Sequence, residues 1–394
     1  MQLLHSFVSH LECSFSNKRY DPGILHKVSD AGRPLLVRYD LQSIKSSLTV
    51  TDLAHRPRDI WRYEELLPVP PGTKIISLGE HFTPLIPLSR FAAKTGTSEL
   101  LLKDESRMPN GTATARDLAV AVTMAKALGV KHLSMQNFGD TGQTLAAYCN
   151  RAGLNATILC SEDIPDNAIH EMTFYGAKIC RVAGPSTRQK NIMIKGIKEH
   201  GWFDISSLRE PYRLEGRKTI GFELAEQLDW ELPDVIFYPT GHGLGLFALW
   251  KAFQELGEIG WIGAKRPRMI AVQPAGCAPI VKAYEERKVF LEQPWRPVTT
   301  DIQSLRVPMP FGDFLCLQVI QDSGGFAVMI SDDEARNILK DIAITEGINL
   351  GFEGALCLAA YKKTLAEGQI SNRDQAVIFS NSKILDFTIP DLVR

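Results

Sequence analysis

Four short stretches combine glycine with groups that move protons or hold anions. They are Pro109–Asp117 (PNGTATARD), Asn137–Gly142 (NFGDTG), Thr240–Gly245 (TGHGLG) and Ser380–Ile384 (SNSKI). They carry Thr114, Asp140, His242 and Lys383. A histidine with an aspartate is a usual acid–base combination. A lysine in a desolvated site acts as base or nucleophile. Arg116 and Arg213 add guanidinium forks, which pair with carboxylate or phosphate in bidentate fashion. Each group also has a plainer reading. Asp140 caps a helix starting near Thr141, and Lys383 pairs with Asp140 or Asp386. Arg116 and Arg213 form structural ion pairs with Glu215, Glu210 or Asp117.

The elements that must position these stretches alternate in type. Glu99–Glu105 reads as a strand, and Leu118–Gly129 as a helix stopped by glycine. Lys131–Phe138 is a strand, Gly142–Gly153 a helix and Ala156–Cys160 a strand. A helix around Ala168–Gly176 and a strand at Lys178–Gly184 follow. Asp234–Gly241 and Arg268–Gly276 are strands flanking a helix at Leu246–Gly257. This rhythm predicts an α/β fold with parallel sheets covered by helices. Such sheets bind ligands beyond the carboxyl ends of their strands, where the four glycine stretches fall. The first 75 residues differ in character and end near a proline-rich hinge, Leu66–Thr73, so they read as an arm or subdomain.

Composition narrows the partners. The net charge of -1 gives no electrostatic case for nucleic acid. No apolar run is long enough to span a bilayer, and Met1–Phe15 lacks the pattern of a signal peptide. Seven scattered cysteines without CxxC spacing suggest reduced thiols in a cytoplasmic protein. No metal-ligand spacing stands out.

Ordered matches along almost the whole chain carry a resemblance. They are Leu11–Pro22 (LECSFSNKRYDP), Arg33–Leu41, Leu78–Leu85 (LGEHFTPL), Leu101–Val130, Glu210–Thr219 (EPYRLEGRKT), Phe237–Phe253, Pro310–Phe314 and Gly351–Ala355 (GFEGA). In them the chain resembles threonine synthase and its relatives among the fold-type II pyridoxal-phosphate enzymes. The resemblance implies a tryptophan synthase β-like architecture: two parallel-sheet domains with a cleft between them. The division expected is an arm over 1–75, a large α/β domain over 76–118 and 211–394, and a smaller one over 119–210. A homodimer is implied in the same way.

In that family a lysine holds the cofactor as an aldimine and the pyridine ring is the electron sink. Set on the family's NPTGSFKDRG, the loop before Leu118 puts Thr114 at the lysine. Asp140 takes the asparagine of SAGNAG, His242 a glycine of GGGTG, with Leu244 in place of a hydroxyl, and Lys383 the serine of TGSG. The expectation is therefore that Schiff-base chemistry is lost and no pyridoxal phosphate is held. Thr114, Asp140, His242 and Lys383 would then work as catalytic groups in a rebuilt cleft. Arg116, Arg213, Lys218, Lys103 and Asn137 would bind a small amino acid or a phosphorylated or carboxylated metabolite. Glu353 matches the glutamate of the family's PEGA. The first reading is a lyase or transferase that works without the cofactor. The alternatives are an inactive ligand sensor or partner subunit, and a pyridoxal-phosphate-dependent lyase of the threonine synthase type.

Overall fold

The computed structural model describes residues 7–137, 140–184 and 186–382. The chain divides into two compact units. One holds the chain up to Phe82, Thr114–Thr219 and Glu258–Trp261; the other holds Thr83–Ala113, Ile220–Gly257 and the chain from Ile262 onward.

Two sheets form in the first unit. Strands β1 (Val8–Cys13), β2 (Arg19–Tyr20) and β3 (Leu35–Tyr39) pair antiparallel in the order β2-β1-β3. After β3 the chain forms α1 (Leu41–Ser47) and two short 3-10 turns, still in the first unit. The second sheet is fully parallel, in the order β8-β7-β6-β9. Its strands are β6 (His132–Gln136), β7 (Asn155–Ser161), β8 (Lys178–Val182) and β9 (Phe203–Asp204).

Helices alternate with these strands. Strand β4 (Leu85–Pro87), α2 (Ser89–Thr95) and β5 (Leu100–Asp104) precede them in the chain. Then come α3 (Thr114–Ala127), α4 (Thr141–Ala152), α5 (Asp166–Phe174), α6 (Ser186–His200) and α7 (Tyr212–Gln227). The sequence placed α3 four residues later than it starts. The pattern of large apolar residues begins at Leu118, but Thr114–Asp117 already make a buried first turn.

Helices α3 and α7 touch through a glycine. A Cβ on Gly216 of α7 would fall on the carbonyl oxygen of Arg116 and the Cα of Asp117, both backbone atoms of α3. Backbone cannot rotate away, so only glycine fits there. Farther along α3, the Thr123 hydroxyl accepts the Ile76 N–H. Buried Glu80 gathers the Ser77 hydroxyl, the Leu78 N–H, Trp61 Nε1 and the Tyr148 hydroxyl. These four hydrogen bonds satisfy the buried carboxylate and tie the arm and the Ser77–Glu80 turn to α4.

The second unit holds one six-stranded sheet among the described residues, in the order β12-β11-β10-β13-β5-β4. Here β10 is Val235–Pro239, β11 Arg268–Pro274, β12 Phe326–Ile330 and β13 Ala376–Ser380. Five strands run parallel, and β4 joins antiparallel at the edge. Strand β10 (VIFYP) is buried at every position. That is why it reads as a continuous apolar run, since a parallel sheet is covered on both faces. Helices α8 (Leu244–Ile259), α9 (Pro279–Glu285), α10 (Asp313–Asp322), α11 (Asp332–Glu346) and α12 (Phe352–Ala366) complete the element order. Helix α11 starts with a Ser331/Glu334 capping box and stops at left-handed Gly347. Among the described residues no helix is long and apolar enough to cross a membrane.

The Gly216 contact leads to the first prediction. Gly216→Ala is expected to destabilise the protein by about 2–3 kcal/mol, in the upper range for overpacking. Urea unfolding of the two proteins checks it, and equal midpoints would show that α3 and α7 can separate without cost.

Candidate active site

In the second unit the parallel strands β10 and β13 are neighbours, and both deliver polar residues at their carboxyl ends. After β10 the chain makes the turn Gly241–His242–Gly243 and enters α8 at Leu244. Gly243 has φ near +90°, a region costly for any side chain. A Cβ there would also strike the Cys316 sulfur beneath it. At Gly245 a Cβ would strike the Tyr238 hydroxyl. The turn is further pinned by Gly312, whose N–H donates to the His242 carbonyl at 3.2 Å. The first N–H groups of a helix have no partner within it and point along its axis, so this end of the 16-residue α8 suits an anion. Beside it, at the end of β13, the Ser380 hydroxyl donates to the Ser382 carbonyl at 3.0 Å. Asn381 Oδ1 is buried and has no hydrogen-bond partner among the described residues. An acceptor without a partner, next to a helix N-terminus that wants an anion, is what a polar ligand would satisfy.

In the first unit the charged groups converge on α3 and α7. Asp117 is fully buried. Its Oδ2 accepts from Arg213 Nε (3.0 Å) and Nη2 (2.7 Å), and its Oδ1 from Arg217 Nε at 2.9 Å, with Nη2 at 2.8 Å. Arg213 Nη1 donates to the Ile205 carbonyl. Arg217 Nη2 also lies 3.5 Å from the Thr114 hydroxyl. At the start of α7 the Glu210 carboxylate accepts the N–H groups of Tyr212 and Arg213. Burial pushes this carboxyl up to about 7, against the pull of those two N–H groups and of the Arg213 charge.

Of the residues singled out by sequence, His242 lies in the glycine turn, and Thr114, Arg116, Arg213 and Lys218 lie on α3 and α7. Thr114 opens α3, and Arg116 lies two residues on, fully buried, with Nη1 3.3 Å from the Thr219 hydroxyl. Of the partners considered for Arg213, the structure selects Asp117. Lys218 is fully buried, 2.5 Å from Glu215 and 4.0 Å from the centre of the Tyr39 ring. The Tyr39 hydroxyl donates to the same glutamate. Lys103, in the second unit, is fully buried too, with Nζ on Glu223, Gln227 and the Thr83 carbonyl. Glu353 lies in the first turn of α12. Asn137 caps α4: its Oδ1 accepts the Gly142 N–H at 2.8 Å. Asp140 occupies the cap position but makes no side-chain cap bond, which corrects the capping role read for it. Lys383 and Asp386 lie outside the described residues.

Sequence reasoning missed Asp117 as a double anchor, Tyr39 as a cover for Lys218, and Glu80 as a hub. It also missed a second register for the α3 loop. Set without gaps on Asn110–Ala119, the motif NPTGSFKDRG matches Asn110, Thr112 and Asp117, and its lysine falls on Arg116 instead of Thr114.

With fold and geometry in place, similarity to known proteins defines the class. The profile of the family described as "Pyridoxal-phosphate dependent enzyme" matches residues 76–381, and the chain belongs to that family. Within it the chain is similar to threonine synthases. It is 34% identical to that of Methanocaldococcus jannaschii, over 93% of this chain and 90% of the relative. It is 31% identical to that of Methanosarcina acetivorans, over 94% and 90%. The fold is shared with maize serine racemase (TM-score 0.66, 19% identity, 78% of this chain and 89% of that one). It is also shared with the processed form of threonine deaminase isoform 2 of Solanum lycopersicum (TM-score 0.64, 18% identity, 77% and 84%).

The expectation of a chain without pyridoxal phosphate is overturned by this family membership. The physical reason lies in the glycine turn. A phosphate placed there would be held by backbone N–H groups, and neither His242 nor Leu244 removes one. The described residues fit the cofactor's phosphate end and offer polar groups beside it at Ser380 and Asn381. The loop leading into α3 supplies no amine, because both registers of the lysine fall on side chains that form no aldimine, Thr114 and Arg116.

Glu210 generates the second prediction. Its pKa is raised on folding, from an ordinary 4.5 to about 7, so the native state holds the proton more tightly than the unfolded chain. The wild type therefore loses stability relative to Glu210→Gln as pH rises from about 4.5 to about 7, and the difference is constant on either side. Unfolding curves across that range check it, and parallel pH profiles would refute a buried, titrating Glu210.

Proposed function

We propose that the protein is a pyridoxal-phosphate-dependent enzyme of the threonine synthase type, acting on an amino acid that carries a further anionic group. The observation that carries this reading is the Gly241–Gly245 turn. It keeps a left-handed glycine, a backing sulfur and the N-terminus of a 16-residue helix at the carboxyl end of a parallel strand. The threonine synthase relatives, matched over most of both chains, support it.

In this reading the N–H groups at the start of α8 hold the cofactor phosphate, and Ser380 and Asn381 offer it a hydroxyl and an amide. When bound, the cofactor supplies an electron sink for carbanion chemistry at the substrate's α-carbon. The protein's own groups bind and orient. In the first unit Arg213 uses three of its five N–H donors on Asp117 and Ile205, so among the described residues two remain for an anionic group of the substrate. The neighbouring Glu210, with its raised pKa, keeps much of the charge of this buried face on the arginines near neutral pH.

A second reading is favoured by Thr114 and Arg116 in the lysine's registers. It is a family member that holds its ligands without covalent attachment and turns nothing over.

Titration with pyridoxal phosphate and with pyridoxal, followed by borohydride, tests both. Pyridoxal phosphate is expected to bind at least about tenfold more tightly than pyridoxal. Gly243→Ala is expected to remove most of that advantage, since its Cβ meets Cys316 at an unfavourable φ. Equal affinity for both compounds, or none for either, would sink the cradle. A borohydride-fixed adduct supports the enzyme and marks its amine by peptide mapping. Tight binding with no adduct supports the second reading.

A further inference from the structure

We propose that Asp117 is the positioning residue that sets the anion affinity of the α3/α7 face, acting through Arg213; this rests on the reading that Arg213 binds an anionic group. Arg213 is 3% exposed and Asp117 fully buried, so the pair is formed inside the protein and not at its surface. A lone arginine has many rotamers, and a ligand that selects one of them binds more weakly for doing so. Asp117 removes that freedom during folding. One carboxylate oxygen takes both Nε and Nη2 of Arg213, and Ile205 takes Nη1. The plane of the guanidinium is thereby fixed by three hydrogen bonds to two acceptors.

Arg217 serves the same anchor from the other side. It holds Oδ1 and leaves Oδ2 to Arg213. Asp117 is thus shared between two cations, and its removal would raise the positive charge of the face. Two accounts of Asp117 therefore predict opposite signs. If it only neutralises charge, its loss strengthens anion binding. If it positions Arg213, its loss weakens anion binding although the face has become more positive.

A charge-balanced double variant, Asp117→Asn with Arg217→Met, separates these accounts and leaves the fold one unpaired buried cation, Arg213, instead of two. The probe is inorganic phosphate, measured by titration calorimetry. The part of the phosphate binding that Arg213→Met abolishes belongs to Arg213. In the double variant that part is expected to weaken about tenfold, while Arg217→Met alone changes it less than about twofold. Melting curves of each variant show that the comparison is between folded proteins.

Unchanged phosphate affinity in the double variant overturns the role of Asp117, as does an equal loss in Arg217→Met alone. If Arg213→Met removes no phosphate binding from the wild type, the reading of Arg213 itself fails, and that result is distinct from the other two.

Discussion

The close crossing of α3 and α7 is the constraint on which the first unit depends. Gly216 lets two backbones meet where no side chain fits. That contact brings Asp117 within reach of two arginines one turn apart on α7, Arg213 and Arg217. Buried charges are tolerated only when paired and hydrogen-bonded. The glycine is therefore what allows this face to hold so many ionised groups. The other side of α7 follows the same rule, with Lys218 enclosed by Glu215 and the Tyr39 ring from the arm sheet.

Much of the scaffold was legible in the sequence. The alternation of apolar strands and helices gave the parallel sheets, because buried strands and amphipathic helices leave different periods. The glycine turn before α8 was also visible, since its residues are dictated by backbone conformation. The partners of the buried charges were not visible. Asp117 and Arg213 lie 96 positions apart, and Tyr39 and Glu215 lie 176 apart. An arginine in a motif has the same letter whether it faces a ligand or a carboxylate. The cap of α4 was misplaced for a related reason: Asp140 and Asn137 are both good caps, and only the loop's path decides between them.

The misjudged cofactor has a different cause. At four stations the side chains depart from the family pattern. A phosphate site at a helix N-terminus is built mostly of main chain, and main-chain donors survive substitution as long as the turn does. Gly243 shows that the turn does survive, because its φ and the Cys316 sulfur still exclude every other residue. The lysine station is the opposite case, since an aldimine depends wholly on one side chain. The two halves of the same chemistry thus differ in how much their letters say.

The order of strands in the second unit also bears on how the protein is made. Strand β13, the last strand among the described residues, sits between β10 and β5 in the sheet. Until residues 376–380 have left the ribosome, β10 and β5 have no neighbour on their facing edges. Unpaired edges of apolar parallel strands invite wrong pairing. The nascent chain therefore carries two open sheet fragments from the completion of β10 until β13 emerges, and β13 acts as the keystone that joins them. The four-stranded sheet of the first unit has no such delay, because all its strands precede Glu210.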